Sequence, residues 1–153
     1  MRDEILNVGA DCQIITVREF DAPIELVFKA WTDPEHLSKW WGPKGFTNSF
    51  KVYDLKPGGK WIFTMHGPEK GNYENECVFI KIEKPRLIAW NRISKPIFQV
   101  VALFEEMSKD KTKVTFKMLF DNAKECNKLK AFVPEKNEEN FDKLEVKLKN
   151  MME

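Results

Sequence analysis

FDAPIELVFKAWTDPEHLSKWWGP, residues 20–43, marks the point where a first strand gives way to two short helices. The segment before it, QIITVREF (13–20), mixes β-branched and polar residues as a half-buried strand does. Asp21 is a candidate N-cap, and Pro23 fits a first helical turn. Apolar residues then recur at helical spacing, at Ile24, Val27, Phe28 and Trp31. The sequence therefore predicts a strand followed by an amphipathic helix.

The second half of this stretch predicts a very short second helix. Thr32 or Asp33 can cap it and Pro34 can open it, while the Gly-Pro pair at 42–43 prevents its continuation. Leu37, Trp40 and Trp41 fall on one side of this helix. Because tryptophan buries a large area, the tandem pair can anchor an element that is too short to be stable alone.

Six consecutive strands are predicted after this corner. They are FTNSFKVYDL, KWIFTMHG, NYENECVFIKIE, RLIAWNRI, PIFQVVALFEE and TKVTFKMLF. KPGGK (56–60) and SKDKT (108–112) supply hairpin turns, so the sheet is expected to be antiparallel. Alternation predicts three inward sets: Trp61, Phe63 and Met65; Phe98, Val100, Ala102 and Phe104; and Val114, Phe116, Met118 and Phe120.

The chain ends in helix again. NAKECNKLKAFV is interrupted by Pro134, and a long amphipathic helix follows with Phe141, Leu144, Leu148 and Met151 on its apolar side. No repeat, linker or low-complexity tract marks a boundary, so one α+β domain spanning 1–153, with its core at about 13–150, is expected.

Composition excludes several classes of function. Lys and Arg number 25 against 24 Asp and Glu, which is not the basic excess that nucleic acid or an anionic membrane selects. No apolar run approaches a membrane span and no secretory leader is recognisable, so a cytoplasmic protein without membrane insertion is expected. The three cysteines are widely spaced, and the two histidines lie thirty residues apart, so no metal or cofactor is expected.

The motifs FDAPIELVFKAWTDPEHLSKWWGP, DLKPGGKW and KPRLIAW, in this order, resemble the activator of heat-shock-protein-90 ATPase homologue-like family. That family belongs to the START-like (SRPBCC) superfamily, which includes lipid-transfer domains, plant pathogenesis-related proteins and polyketide cyclases. The resemblance runs from about Gln13 to Asn150. It implies the helix-grip fold, in which a curved antiparallel sheet of six or seven strands surrounds the long C-terminal helix and the two short helices close one end.

Such a fold implies a cavity between sheet and helix, where apolar and aromatic side chains form a small-molecule site. The candidate ligand contacts are Trp40, Trp61, Phe63, Met65, Trp90, Phe104, Phe116, Met118 and Phe141. The alternative is that these residues only fill a core. Arg92, Glu74 and Glu76 are also notable, because a charge facing inward from a strand needs a partner or a ligand.

Three functions remain open. The first is non-catalytic binding of a small hydrophobic or aromatic ligand, lipid-like or polyketide-like, by a monomer or homodimer. The second is an interaction module with a chaperone as partner. The third is a polyketide cyclase-like enzyme, which needs a positioned acid or base; no G-x-S-x-G, phosphate-binding loop or paired acid and base is identifiable, so no catalytic residue is assigned. His66, at the end of a strand, is a weak candidate for that role.

Overall fold

A single antiparallel sheet organises the computed structural model, which describes residues 4–153. Its strands are β1 (Gln13–Phe20), β2 (Thr47–Tyr53), β3 (Lys60–His66), β4 (Asn72–Glu83), β5 (Leu87–Arg92), β6 (Phe98–Ser108) and β7 (Lys111–Leu119), and they lie in the order β1-β7-β6-β5-β4-β3-β2. The helices are α1 (Ile24–Thr32), α2 (Pro34–Trp40), α3 (Ala123–Lys130) and α4 (Val133–Met151). A short 3₁₀ helix, Ala10–Cys12, precedes β1.

The sheet is bent by irregularities in its register. Register shifts occur between Phe50 and Val52, between Phe79 and Lys81, and between Glu106 and Ser108. Bulges of this kind bend a strand and increase its twist. At the β2–β3 turn, a Cβ on Gly59 would collide with the carbonyl of Asp54, so the close return of the chain requires glycine there.

One face of the sheet carries the main core. Along β7 the buried residues alternate, which places Val114, Phe116 and Met118 on the same face. Helix α4 presents Phe141 to this face, and its ring lies 5.5 Å from the ring of Phe20 and 6.2 Å from that of Phe116. Helices α1 and α2 pack against α4 and close the end of the same space. The opposite face has a smaller cluster, built on Ala89, Val101 and Leu119.

The predicted α+β architecture is confirmed, and β1 and the helix at Ile24 begin where the sequence indicates. Asp33 caps α2 by accepting a hydrogen bond from the Glu35 amide at 3.0 Å. The prediction that Asp21 caps α1 is wrong, because α1 begins after Pro23, whose backbone takes the N-cap position. Pro134 occupies the first turn of α4, where its missing N–H costs nothing. Within residues 4–153, no helix has the length and apolarity needed to cross a membrane.

Candidate functional site

A cavity of about 160 Å³ lies between the inner face of the sheet and α4. We call it the central cavity. Its sheet wall consists of Trp61, Phe63, Met65, Asn75, Cys77, Trp90, Arg92, Phe98, Val100, Phe116 and Met118. The corner between α2 and β2 contributes Trp41, Gly42 and Pro43, and α4 contributes Lys136, Asn137 and Asn140. The wall is mostly aromatic and aliphatic with a few polar groups, which is the usual make-up of a small-molecule site.

Trp41 is the central aromatic residue of this wall. It follows the last residue of α2 and has an extended backbone, with φ −61° and ψ 137°, so its side chain turns away from the helix. Its ring centroid lies 5.5 Å from that of Trp61, 5.8 Å from that of Trp90 and 6.1 Å from that of Phe116. Since Trp41 is only partly buried, it lies between the packed core and the cavity space.

The corner that carries Trp41 is fixed from both sides. Gly42 has φ +100°, and a Cβ there would lie 2.7 Å from Cε of Met65, so the tight turn favours glycine. The Nδ2 atom of Asn48 donates a hydrogen bond to the Trp41 carbonyl at 2.7 Å. From α4, Nζ of Lys143 donates to the Phe46 carbonyl at 2.9 Å. These bonds tie the corner to β2 and to α4, so the cavity wall is preformed.

Six of the nine residues predicted as ligand contacts line the central cavity: Trp61, Phe63, Met65, Trp90, Phe116 and Met118. The other three, Trp40, Phe104 and Phe141, lie in the packed core outside the lining. Trp40 is 1% exposed, and its indole N–H donates to the Ala30 carbonyl at 2.9 Å. Trp40 therefore anchors α2, whereas its neighbour Trp41 lines the cavity.

Arg92 is the charged residue of the sheet wall. It is the last residue of β5, and its guanidinium lies 5.7 Å from the ring centroid of Phe98. Its Nη1 donates to Oδ1 of Asn75, while Nε and Nη2 donate to the carbonyls of Pro96 and Lys95, each at 3.0 Å. Partial burial lowers the pKa of Arg92 because it disfavours the charged form.

Two further polar atoms of the lining are buried without a hydrogen-bond partner among the described residues. They are Nε1 of Trp61, in a side chain that is 1% exposed, and Oδ1 of Asn140, in a residue that is 7% exposed. One is a donor and the other an acceptor. In contrast, Nδ2 of Asn137 is used, because it donates to Oγ1 of Thr16 at 3.2 Å.

The cavity offers little for proton transfer. Its lining, drawn from residues 4–153, contains no Asp, Glu or His. Burial raises the pKa of the Cys77 thiol to about 12, so that thiol is neutral at physiological pH and is a poor nucleophile. The ring nitrogens of His66 pair with Ser49 and Asn72 outside the lining. In the described part of the chain, no cluster of His, Cys, Asp or Glu has the make-up of a metal site.

Larger depressions lie on the outer surface. The one between α2 and α4, of about 540 Å³, is lined largely by charged side chains such as Lys39, Lys147 and Asp142. Charged side chains on an open surface are well solvated and need no ligand. The aromatic cavity between the sheet and α4 is therefore the better candidate for a binding site.

Comparisons with known proteins agree with this fold. A crystal structure of a protein from Nitrosomonas europaea aligns with a TM-score of 0.85 and 22% identity, covering 95% of this chain and 99% of that one. A solution structure of an Arthrobacter aurescens protein gives a TM-score of 0.84 and 22% identity, with 92% and 87% of the two chains covered. The AHSA1 protein of Silicibacter pomeroyi gives 0.75 and 17%, with 91% and 99% covered.

These identities are low, so the likeness to solved structures establishes the fold alone, which is of the START/SRPBCC type. No curated protein matches the sequence significantly. The family model described as Activator of Hsp90 ATPase homolog 1-like protein matches residues 21–149, which is most of the chain. The chain therefore belongs to the family of Activator of Hsp90 ATPase homolog 1-like proteins.

Proposed function

We propose that this protein binds a small, largely apolar or aromatic ligand in the central cavity and does not transform it chemically. The observation that carries the proposal is a preformed cavity of about 160 Å³ whose wall includes Trp41, Trp61 and Trp90. For comparison, an engineered apolar cavity of ~150 Å³ stays dry and binds benzene. The expected ligand therefore has about one aromatic ring, or an apolar group of similar size, inside the cavity.

A cyclase-like activity has less support. Proton transfer to or from a substrate needs a side chain whose pKa lies near the working pH. Within the described lining, the ionisable groups are Cys77, Arg92 and Lys136, and none of them has a carboxylate or imidazole beside it in the cavity. Binding without turnover is the function that this set of groups favours.

The chaperone-partner alternative would need a coherent apolar surface. Large exposed apolar side chains among the described residues lie on several elements, with Ile15 and Val17 on β1, Met107 on β6 and Phe132 before α4. The family description concerns homology to an activator of Hsp90 ATPase, and no surface feature of residues 4–153 favours that role over ligand binding.

A substitution that fills the cavity tests the proposal. Val100 is 1% exposed and lines the cavity from β6, so Val100→Phe should place a ring in the space that a ligand would occupy. The control is Val17→Phe, at a position that is 47% exposed on β1. Binding of phenol, a neutral probe with one ring, would be measured by ligand-observed NMR, and native mass spectrometry would detect any molecule that copurifies without detergent.

We expect wild type and Val17→Phe to bind phenol, and Val100→Phe to bind it at least tenfold more weakly while it keeps a cooperative unfolding transition. If Val100→Phe is poorly folded, the smaller Val100→Leu change should still weaken phenol binding. Equal binding by folded Val100→Phe and wild type would show that the probe binds elsewhere and would overturn the proposal.

A further inference from the structure

Arg92 lies where the central cavity approaches the surface. Together with Phe98, it lines both the cavity and an outer depression of about 350 Å³. Its guanidinium lies over the Phe98 ring. Its Nη1 donates a hydrogen bond to Oδ1 of Asn75, a residue that is 4% exposed. The charged group is therefore held in a fixed position at one end of an aromatic cavity.

The charge of Arg92 has no anionic partner within residues 4–153. No carboxylate oxygen there comes within 4.0 Å of its guanidinium, and the three acceptors that it uses, Oδ1 of Asn75 and the carbonyls of Lys95 and Pro96, are neutral. Three of the five guanidinium N–H groups are thus used, which leaves two for another acceptor. A partly buried cation normally has an anion beside it. Burial without such an anion also lowers the pKa of Arg92.

Two residues of the lining also carry a buried polar atom that is unpaired among the described residues. Nε1 of Trp61 is a buried donor, and Oδ1 of Asn140 is a buried acceptor, and neither has a partner among the described residues. An unpaired buried polar atom is energetically unfavourable, so these two residues favour a polar partner over a purely apolar one. The lining therefore combines the guanidinium of Arg92, the ammonium of Lys136 and two residues with an unpaired polar atom around an aromatic centre.

We propose that the ligand is a small aromatic carboxylic acid, with its carboxylate on Arg92 and its ring beside Trp41, Trp61 and Trp90. A carboxylate fits the planar fork of a guanidinium with two parallel hydrogen bonds, which a lysine cannot supply. This inference rests on the proposed binding function and specifies the class of ligand.

The first test compares an acid with its neutral counterpart. The probes are 3-(4-hydroxyphenyl)propanoate and 3-(4-hydroxyphenyl)propanamide, which differ in charge and share the ring and its hydroxyl. Titration calorimetry, with ligand-observed NMR for weak binding, would give both affinities for wild type, Arg92→Gln and Arg92→Lys. Arg86→Gln is the matched control, since Arg86 is exposed in the turn between β4 and β5 and lies outside the lining.

We expect wild type to bind the acid about tenfold or more tightly than the amide, as a charge-assisted pair implies. Arg92→Gln should lose that preference, Arg92→Lys should keep part of it, and Arg86→Gln should keep all of it. In both Arg92 variants, affinity for the amide should fall less than affinity for the acid, and in Arg86→Gln both affinities should stay within about twofold of wild type. Thermal unfolding of each variant would verify that it is folded.

A second variant tests the same idea from the opposite direction. Asn75→Asp is nearly isosteric and would give Arg92 a carboxylate from the protein itself, which should compete with the acid probe. Affinity for the acid should fall about tenfold, and by clearly more than affinity for the amide. The control is Asn127→Asp, which makes the same change of charge at an exposed position on α3.

The outcomes separate this inference from the proposed function. Equal binding of acid and amide by wild type, or an unchanged preference in Arg92→Gln, would overturn the carboxylate assignment and leave cavity binding in place. If neither probe binds wild type and Val100→Phe changes no phenol signal, the binding function itself fails. A parallel loss of acid and amide in Arg92→Gln would show that Arg92 only maintains the shape of the wall, which also overturns the assignment.

Discussion

The substitution Trp40→Phe removes one side-chain hydrogen bond, which satisfies a backbone carbonyl at the C-terminal end of α1. Ala30 is four residues before Pro34, and proline has no N–H to donate to the Ala30 carbonyl. This carbonyl is one of the unsatisfied acceptors at the end of a helix, and Ala30 is fully buried. The indole N–H of Trp40 donates to it at 2.9 Å. Phenylalanine would keep most of the ring packing against Trp31 and would remove the donor.

The expected cost follows from these contacts. Leaving a buried carbonyl without a donor costs about 1–3 kcal/mol, and the smaller ring adds roughly 1 kcal/mol of lost burial. The free energy of unfolding should therefore fall by about 2–4 kcal/mol, which lowers the melting temperature by roughly 5–15 °C in a protein of this size. Trp41→Phe is the matched control, because Trp41 is partly exposed and its side chain makes no hydrogen bond within residues 4–153, so its cost should stay near 1 kcal/mol.

The free energy of unfolding of both variants would be measured by urea titration, with far-ultraviolet circular dichroism as the signal. This signal does not depend on tryptophan emission. Equal losses of stability in the two variants would refute the assignment of Trp40 to packing and of Trp41 to the cavity wall. A loss below about 1 kcal/mol in Trp40→Phe would refute the role of the bond to Ala30. Phenol binding provides a second readout, since only the change at Trp41 should alter it.

Two further predictions concern titratable groups. Burial lowers the pKa of His36, with a smaller contribution in the same direction from Lys147, and its buried Nδ1 has no partner among the described residues. The folded state therefore favours neutral His36, so its contribution to stability is complete above about pH 6.5 and is lost as pH falls through the lowered folded pKa. His36→Gln should reduce the loss of urea stability between about pH 7.5 and 5.5, and an unchanged pH slope would contradict this. Burial also raises the pKa of Cys77 to about 12, so Ellman's reagent at about pH 8 should modify half-exposed Cys12 well before Cys77. Mass mapping of the modified cysteine would test this, and equal labelling rates would contradict it.

The strands and helices could be predicted from the sequence because their signals are local. Alternation along a strand fixes the face of every residue once one of them is assigned, which is why Trp61, Phe63 and Met65 were correctly placed on the inner face. The N-cap of α1 was not predictable in this way. Asp21 and Pro23 both suit a helix start, and the choice between them depends on how the chain leaves β1 at Phe20.

Whether Trp40 or Trp41 faces the cavity depends on the residue at which the short helix α2 ends. If both residues were inside the helix, their side chains would point about 100° apart around its axis. Since α2 ends at Trp40, the extended backbone of Trp41 turns its ring toward Trp61 and Trp90 instead. Helix ends are the least certain feature of a sequence pattern, so periodicity alone could not distinguish the two residues.

A signal for Arg92 was present in the sequence. Trp90 was expected at the cavity wall, and residues two apart in a strand share a face, so the inward position of Trp90 implies the same for Arg92. Asn75 stands in the same relation to Cys77, which pairs with Arg92 across β4 and β5. Asn137 and Asn140 had no such signal, because α4 is polar on several sides and its rotation is set by packing against the sheet.

The polar groups of the cavity also distinguish between binding and catalysis. Arginine remains protonated in proteins, and the amides of Asn75 and Asn140 do not titrate, so these residues can hold a charge or a hydroxyl but cannot move a proton. A catalytic cavity would need a group that changes protonation during turnover. Cys77 does not supply it, because burial keeps its thiol neutral. The proposed retention of a carboxylate by Arg92 and the proposed binding without turnover thus depend on the same wall of β4 and β5.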